Sequence, residues 1–381
     1  MVYLDYNATT PLAPEAREAM LPFLDGDFGN PSSIHSAGRQ ARAAVDDARD
    51  RLAAVLGTKS HEIIFTGGGT ESCNLGVMGM ARAHAMRGKH LIVSAVEHHA
   101  VLHAVEHLQH FEGYDVTILP VDSAGVVDPG LLARLIRKDT TLVSVMHANN
   151  ETGAIQPIGE IATVCLERGV FFHTDAVQTF GKVPLSTQWP GLSAISIAGH
   201  KFYGPKGVGA LYLGAGIALS RTAHGGSHEN SRRPGTENVA AIVGMAVAAE
   251  IAARSAESES ARLEPLREEL WAAIHAACPK AIRNGNADKS LANTLNVSFP
   301  GADGEALLMG LDLEGVCVSS GSACMVGSIQ PSHVLVAMGV NPKTALATIR
   351  FSMGRKTTVS DISQAAAAVS RVIGLQPALA A

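Results

Sequence analysis

Hydrophobic positions along the first half of the chain fall into short blocks separated by longer amphipathic stretches. The blocks Glu62–Phe65, His90–Ser94, Asp115–Leu119, Leu142–Met146, Val170–His173 and Leu192–Ile197 are rich in Ile, Val and Leu. Runs of this length and make-up read as strands buried on both faces. Helical spacing starts at Pro14, and predicts further helices over about Ala37–Leu56, ended by Gly57, and Thr70–Met86. A strand–helix alternation of this kind predicts an α/β chain with a mostly parallel sheet covered by helices. After Gly235 a helix from about Thr236 to Ala253 carries apolar residues on nearly every side, which predicts burial. The polar run Ser255-Ala-Glu-Ser-Glu-Ser260 reads as a hinge. Beyond it, strands near Thr294–Ser298 and Thr348–Ser352 and helices near Gly304–Leu311 and Ser360–Ile373 predict a smaller α+β unit.

Composition narrows the class. With 381 residues the chain can bury two domains' worth of core. A net charge of -5 leaves no electrostatic footprint for nucleic acid or an acidic membrane. The start, Met1-Val-Tyr-Leu-Asp5, has no basic region leading into an apolar core, so no signal peptide is expected. The apolar run Val239–Ala249 stops at Glu250, too short to span a bilayer. Five cysteines without a CxxC pair fit neither a disulfide framework nor a zinc site. These features point to a cytoplasmic enzyme from a reducing compartment.

Five stretches carry candidate chemistry. Gly199-His-Lys201-Phe-Tyr-Gly-Pro-Lys206-Gly207 follows an apolar strand, and puts Lys201 at a strand end on a tight, Gly-rich backbone. A lysine held there loses preference for its charged form and can serve as an amine nucleophile; a surface charge is an equal reading of that motif alone. Lys206 reads as a solvated turn residue. Thr66-Gly-Gly-Gly-Thr70 joins a strand to a helix, where N–H groups suit a lone phosphate, although a flexible turn has the same composition. Asp175, just past a buried strand, needs a cationic partner, either an internal salt bridge or a pyridinium nitrogen. Ser319-Ser-Gly-Ser-Ala-Cys324 is a small-residue loop whose thiol is expected to be mobile and exposed. Cys73, Cys165, Cys278 and Cys317 read as packing residues. His99, His103 and His107 recur at helical spacing and read as a solvated stripe rather than a metal site. His98 lies at a strand-to-helix junction, where parallel sheets bind ligands.

Taken together, Leu4-Asp-Tyr-Asn-Ala-Thr-Thr-Pro11, Phe65-Thr-Gly-Gly-Gly-Thr-Glu-Ser72, Val96-Glu-His98, His147-Ala-Asn-Asn-Glu-Thr-Gly153, His173-Thr-Asp-Ala-Val-Gln178, the Lys201 stretch and Ser319–Cys324 resemble the cysteine desulfurases of the NifS/IscS type. The resemblance covers essentially the whole chain. It implies a class V aminotransferase-type enzyme of pyridoxal phosphate (PLP) fold type I. Its large domain, residues 15–255, would hold a seven-stranded, mostly parallel sheet, and residues 1–14 and 256–381 would form the small domain with the cysteine loop. The enzyme would be a homodimer acting on L-cysteine and passing sulfur to an acceptor protein such as an iron–sulfur scaffold. By motif position, Lys201 would bind PLP covalently, Asp175 would pair with its ring nitrogen, Gln178 with its ring hydroxyl oxygen, and His98 would stack on the ring and handle protons. Gly69, Thr70 and His200 would hold the phosphate, together with Thr236 reaching from the other subunit. Asn150 and Arg350 would clamp the substrate carboxylate, and the Cys324 thiolate would take the sulfur as a persulfide. Ala198 stands where most relatives carry a phosphate-bonding serine, which predicts looser PLP binding. A selenocysteine or cysteine lyase, a non-catalytic dimeric assembly partner and an aminotransferase are the competing readings.

Overall fold

The computed structural model describes residues 1–320 and 330–375; Cys324 therefore lies outside the described residues. The strands are β1 (Val2–Tyr3), β2 (Ile63–Thr66), β3 (His90–Ser94), β4 (Asp115–Leu119), β5 (Thr140–Ser144), β6 (Phe171–Asp175), β7 (Leu192–Ala198), β8 (Gly209–Leu213), β9 (Ile282–Arg283), β10 (Thr294–Ser298), β11 (Val316–Cys317) and β12 (Thr348–Ser352). Seven of them form one sheet in the order β2-β8-β7-β6-β5-β3-β4. The pairs among β7, β6, β5, β3 and β4 are parallel, and β8 runs antiparallel to both β7 and β2. The expected fold class is what is observed. The antiparallel β8 is the one sheet strand with no counterpart in the six blocks read from the pattern, because its Gly209-Ala-Leu-Tyr-Leu213 follows a Gly/Pro turn.

Successive residues of each strand feed opposite cores, as a pleated strand requires. Ile63, Ile195 and Phe172 join Leu52, Phe180 and Met245 on one face, whereas Ile64, Leu91 and Leu211 join Val101 and Leu108 on the other. Truncating a residue as enclosed as Leu52, at 0% exposure, to alanine costs about 2–5 kcal/mol. A third core gathers Leu4, Val297, Phe351, Ile362 and Val369 around β10 and β12, with Leu263, Leu266 and Leu270 added from a long helix.

That helix, Val239–Ala277, corrects the expected hinge: residues 255–260 are helical throughout. Ala and Glu are strong helix formers, and the Ser255 hydroxyl donates to the Ile251 carbonyl one turn back instead of breaking the ladder. The polarity of the run marks a surface stripe of the helix. By length and composition the helix is apolar enough to cross a membrane, yet its buried residues pack in the first core through Ala252 and in the third from Leu263. Its start is Val239, capped by the Asn238 side chain, three residues later than the apolar pattern suggested. The helix predicted over Thr70–Met86 is present but uneven: Gly69–Asn74, a π-type turn at Leu75–Gly79, then Met80–Ala83.

Candidate active site

Parallel strands end on the same sheet edge, and their outgoing loops meet there. β2 leads into Thr66-Gly-Gly-Gly-Thr70, β3 into His98, β5 into His147–Asn150, β6 ends on Asp175, and β7 runs through a 3₁₀ turn, Gly199–Lys201. The candidate residues distant in sequence are brought to one crevice by this topology alone.

Lys201 lies on its floor. Its Nζ donates to the Asn7 carbonyl at 2.7 Å and the Ala8 carbonyl at 2.8 Å. Burial, with Arg350 close by, pulls its pKa down to about 8, against the opposing pull of Asp175 and Asp5. A fraction of the amine is thus neutral near physiological pH, far more than for an ordinary lysine, as a nucleophilic lysine requires. Lys206 is exposed, as its turn position predicts.

Asp175 is buried at the end of β6, and its Oδ1 accepts from the Val177 N–H at 2.9 Å. Burial raises its pKa; the Val177 N–H, His98, the Cys73 thiol and Lys201 act the other way. Asp175 forms no ion pair with a described residue, so its buried carboxylate is left without a cation of its own chain among them. His98 caps the helix His99–Glu112, its Nδ1 accepting from the Ala100 N–H at 3.0 Å. In the neutral ring the proton therefore sits on Nε2. Burial lowers the His98 pKa, with Asp175 opposing and Lys201 adding, which keeps the ring neutral.

The Gly-rich loop closes the crevice at the head of the sheet. A Cβ on Gly69 would meet Val177 Cγ2 at 2.8 Å and Ala198 Cβ at 3.2 Å, so backbone is held close where a side chain does not fit. Thr70 is exposed in the first turn of the helix, and Ala198 is buried beneath the loop. His200 points its Nδ1 at the Thr9 hydroxyl, 3.2 Å away, and burial pulls its pKa to about 4. Thr236 is exposed and shares a cavity with Thr66, Gly67, Gly207 and Arg233 of its own chain. Arg233 in turn pairs with Glu71 at 2.8 Å, fastening this segment to the Gly-rich loop.

Opposite lies Arg350 on β12. Its guanidinium donates to Asp5 Oδ1 at 2.7 Å and to the Asn150 carbonyl at 2.9 Å, and its buried Nε has no partner among the described residues. Both flanks of residues 321–329 are fastened beside this clamp. On one side Ser319 exchanges backbone hydrogen bonds with Arg350, at 2.7 and 3.2 Å. On the other, the Ser332 hydroxyl donates to Glu151, and His333 Nε2 meets the Glu97 carbonyl at 2.9 Å.

Several residues of the crevice were not singled out from sequence. Asn7 accepts on its carbonyl from Lys201 and Gln178 Nε2, and on Oδ1 from Lys182 and Asn293. Lys182, four residues after Gln178 in the turn that follows β6, donates to Gln178 Oε1 at 3.1 Å, and burial brings its pKa to about 7. Burial likewise raises the carboxyls of Glu97, to about 8, and Glu151, to about 7. The i, i+4 spacing of Gln178 and Lys182 was the available signal; nothing local marks Asn7. Among the packing cysteines, Cys73, Cys165 and Cys278 are buried as expected, whereas Cys317 on β11 is half-buried. The rings of His99 and His103 stack at 4.8 Å, His99 lies 4.9 Å from His333, and His103 and His107 face solvent. Among the described residues no group of three or more His, Cys, Asp or Glu side chains could hold a metal ion.

A nucleophilic lysine, a buried carboxylate lacking a cationic partner, and a side-chain-free cradle at a helix start form a donor set that fits PLP. Lys201 would supply the attachment, Asp175 the partner for a pyridinium, and the Gly69–Thr70 turn the phosphate seat. Comparison with known proteins agrees: a family model described as aminotransferase class-V matches residues 2–365. The chain belongs to this family. Within it, the chain is 49% identical over 372 residues to a cysteine desulfurase IscS of Dictyoglomus turgidum, covering 98% of this chain and 94% of that one. It is 44% identical to a cysteine desulfurase IscS of Methanosarcina thermophila, covering 98% and 92%. Among solved structures, a NifS-like protein superposes with a TM-score of 0.92 at 36% identity, covering 98% of this chain and 99% of the other. The structure of SspA in complex with cysteine superposes with a TM-score of 0.82 at 35% identity, covering 93% and 99%.

Proposed function

We propose that the chain is a PLP-dependent cysteine desulfurase, converting L-cysteine to L-alanine and leaving the sulfur on Cys324. The observation that carries this reading is the placement of both flanks of residues 321–329 against Arg350 and Glu151, with Arg350 close enough to Lys201 to lower its pKa. PLP, when bound, supplies the electron sink that makes the substrate's Cα–H acidic and weakens its sulfur bond. The chain's own residues do the rest. Arg350 and Asn150 receive the substrate carboxylate; among the described residues the Asn150 amide makes no side-chain hydrogen bond and Arg350 Nε has no partner. Lys201, neutral above about pH 8, takes the α-proton. His98 offers its Nε2 proton over the crevice. The Cys324 thiolate forms a bond to the substrate sulfur as the C–S bond breaks; the electron pair stays with carbon, which takes a proton and leaves as alanine. Gly69, Thr70 and His200 hold the phosphate, Gln178 the ring hydroxyl oxygen and Asp175 the ring nitrogen.

The same reading includes a cytoplasmic homodimer in which Thr236 reaches the partner's phosphate, supported by its exposure at the rim of the Gly-rich loop. It includes a sulfur-acceptor protein such as an iron–sulfur scaffold. It also divides the chain into 15–255 and 1–14 plus 256–381, supported by the separate core around β10 and β12. The test is Cys324→Ala: alanine production from cysteine is expected to vanish while PLP still binds. Undiminished turnover with free sulfide would replace this reading by a lyase.

A further inference from the structure

We propose that Lys182 is a positioning residue that fixes the orientation of the Gln178 amide beside Lys201. The inference rests on the PLP-enzyme reading above. Three facts carry it. Gln178 Nε2 donates to the Asn7 carbonyl at 2.9 Å, the same oxygen that accepts from Lys201 Nζ at 2.7 Å. The two nitrogens are therefore neighbours, and Gln178 would be the residue to meet an oxygen carried next to the attachment point of a ring joined to Lys201. Which end of the amide meets that oxygen is decided on the far side. There Lys182 Nζ donates to Gln178 Oε1 at 3.1 Å and to Asn7 Oδ1 at 3.4 Å. An ammonium can only donate, and a neutral amine could accept from an amide N–H₂ only by turning its lone pair toward it, so the amide oxygen is the end that Lys182 favours. Lys182 thus holds Oε1 inward and leaves Nε2, the donor, facing the ring.

Lys182 forms no salt bridge with an Asp or Glu among the described residues, so ion pairing does not account for a lysine at this depth. Its i, i+4 relation to Gln178 on the turn after β6, and the shared Asn7, give it the Gln178 amide and the Asn7 side chain as its acceptors among the described residues. Lys182 lines a cavity together with Tyr6, Lys201, Tyr203, Glu259, Asn293 and Arg355.

The experiment compares Lys182→Met, which removes the donor, with Lys182→Gln and Lys182→Arg, which keep one. Apo-protein is titrated with PLP, and the absorbance of the lysine-bound cofactor is followed against pH. The Met variant is expected to bind PLP about tenfold or more weakly and to require a higher pH for the absorbance change, because an amide oxygen now opposes the ring oxygenate. The Gln and Arg variants are expected to restore both values. A Met variant that melts like wild type and keeps the wild-type midpoint and affinity overturns the proposal. So do Gln and Arg variants displaced as far as Met, which would mark a packing role; these two serve alone where Met fails to fold. Wild-type protein that gives no lysine-bound absorbance with PLP removes the parent reading instead, a result distinct from every variant outcome.

Discussion

At Lys201 the protein bends the chemistry of one amine. Two backbone carbonyls accept from it, yet burial and Arg350 bring its pKa to about 8. Capture of PLP needs the neutral amine, so its rate in apo-protein is expected to rise with pH through about 8. Stopped-flow absorbance across pH measures this; a midpoint at the value of an ordinary exposed lysine would contradict it. Ala198 gives a second test. It is buried directly under Gly69, where a hydroxyl would meet a phosphate held by that loop. Ala198→Ser is expected to tighten PLP binding about tenfold or more, the worth of one hydrogen bond to a charged group. Equal affinities by titration would sink that account. The candidate residues that the structure brings to the crevice were legible because each sits in a compact local motif. Asn7 and Lys182 were not, since their partners lie on Lys201, Asn293 and Gln178 and no local pattern distinguishes a hub asparagine from any other.

Elements position these residues through their ends rather than their lengths. The Gly69 turn works because no Cβ intrudes between the loop, Val177 and Ala198. Gly69→Ala must push the loop off β7, and PLP affinity is expected to fall by at least an order of magnitude while the melting temperature of apo-protein changes little. Retained affinity in the same titration would show that the turn does not seat the phosphate. Strand-to-helix alternation made most elements readable, within a residue or two at β5 and β6. The misreading at Ser255–Ser260 has a physical cause. Serine and glutamate are common in both linkers and exposed helix faces, and only the packing of Ala252 and Leu263 on either side shows that one helix carries both cores.

For the whole molecule, the crevice holds buried ionisable groups whose costs depend on pH. Glu97 and Glu151 have folded pKa values of about 8 and about 7, raised from 4.5. Each therefore favours the folded state fully below its unfolded value and loses that contribution as pH climbs through the folded one. Buried His147, at about 4, and His173, at about 3, act with the opposite sign at lower pH. Comparing wild type with Glu97→Gln cancels the histidines. Relative to the variant, wild type is expected to melt highest in mild acid and to lose that advantage by about pH 8. A difference independent of pH would contradict the assignment of a protonated Glu97. Such a group beneath His98 and beside the anchor of His333 ties the stability of the sheet edge to the site it supports. The third core, with Arg350 on β12, closes the crevice from the other side, so neither body of the chain completes the site alone.

The central claim is that sulfur from L-cysteine passes to Cys324. PLP-loaded protein mixed with L-cysteine, quenched by alkylation and analysed by peptide mass spectrometry, tests it most directly. The account predicts one added sulfur atom on the peptide containing Cys324, formed in step with one alanine, and neither product from Lys201→Ala. Alanine formed with no sulfur on Cys324 would contradict it.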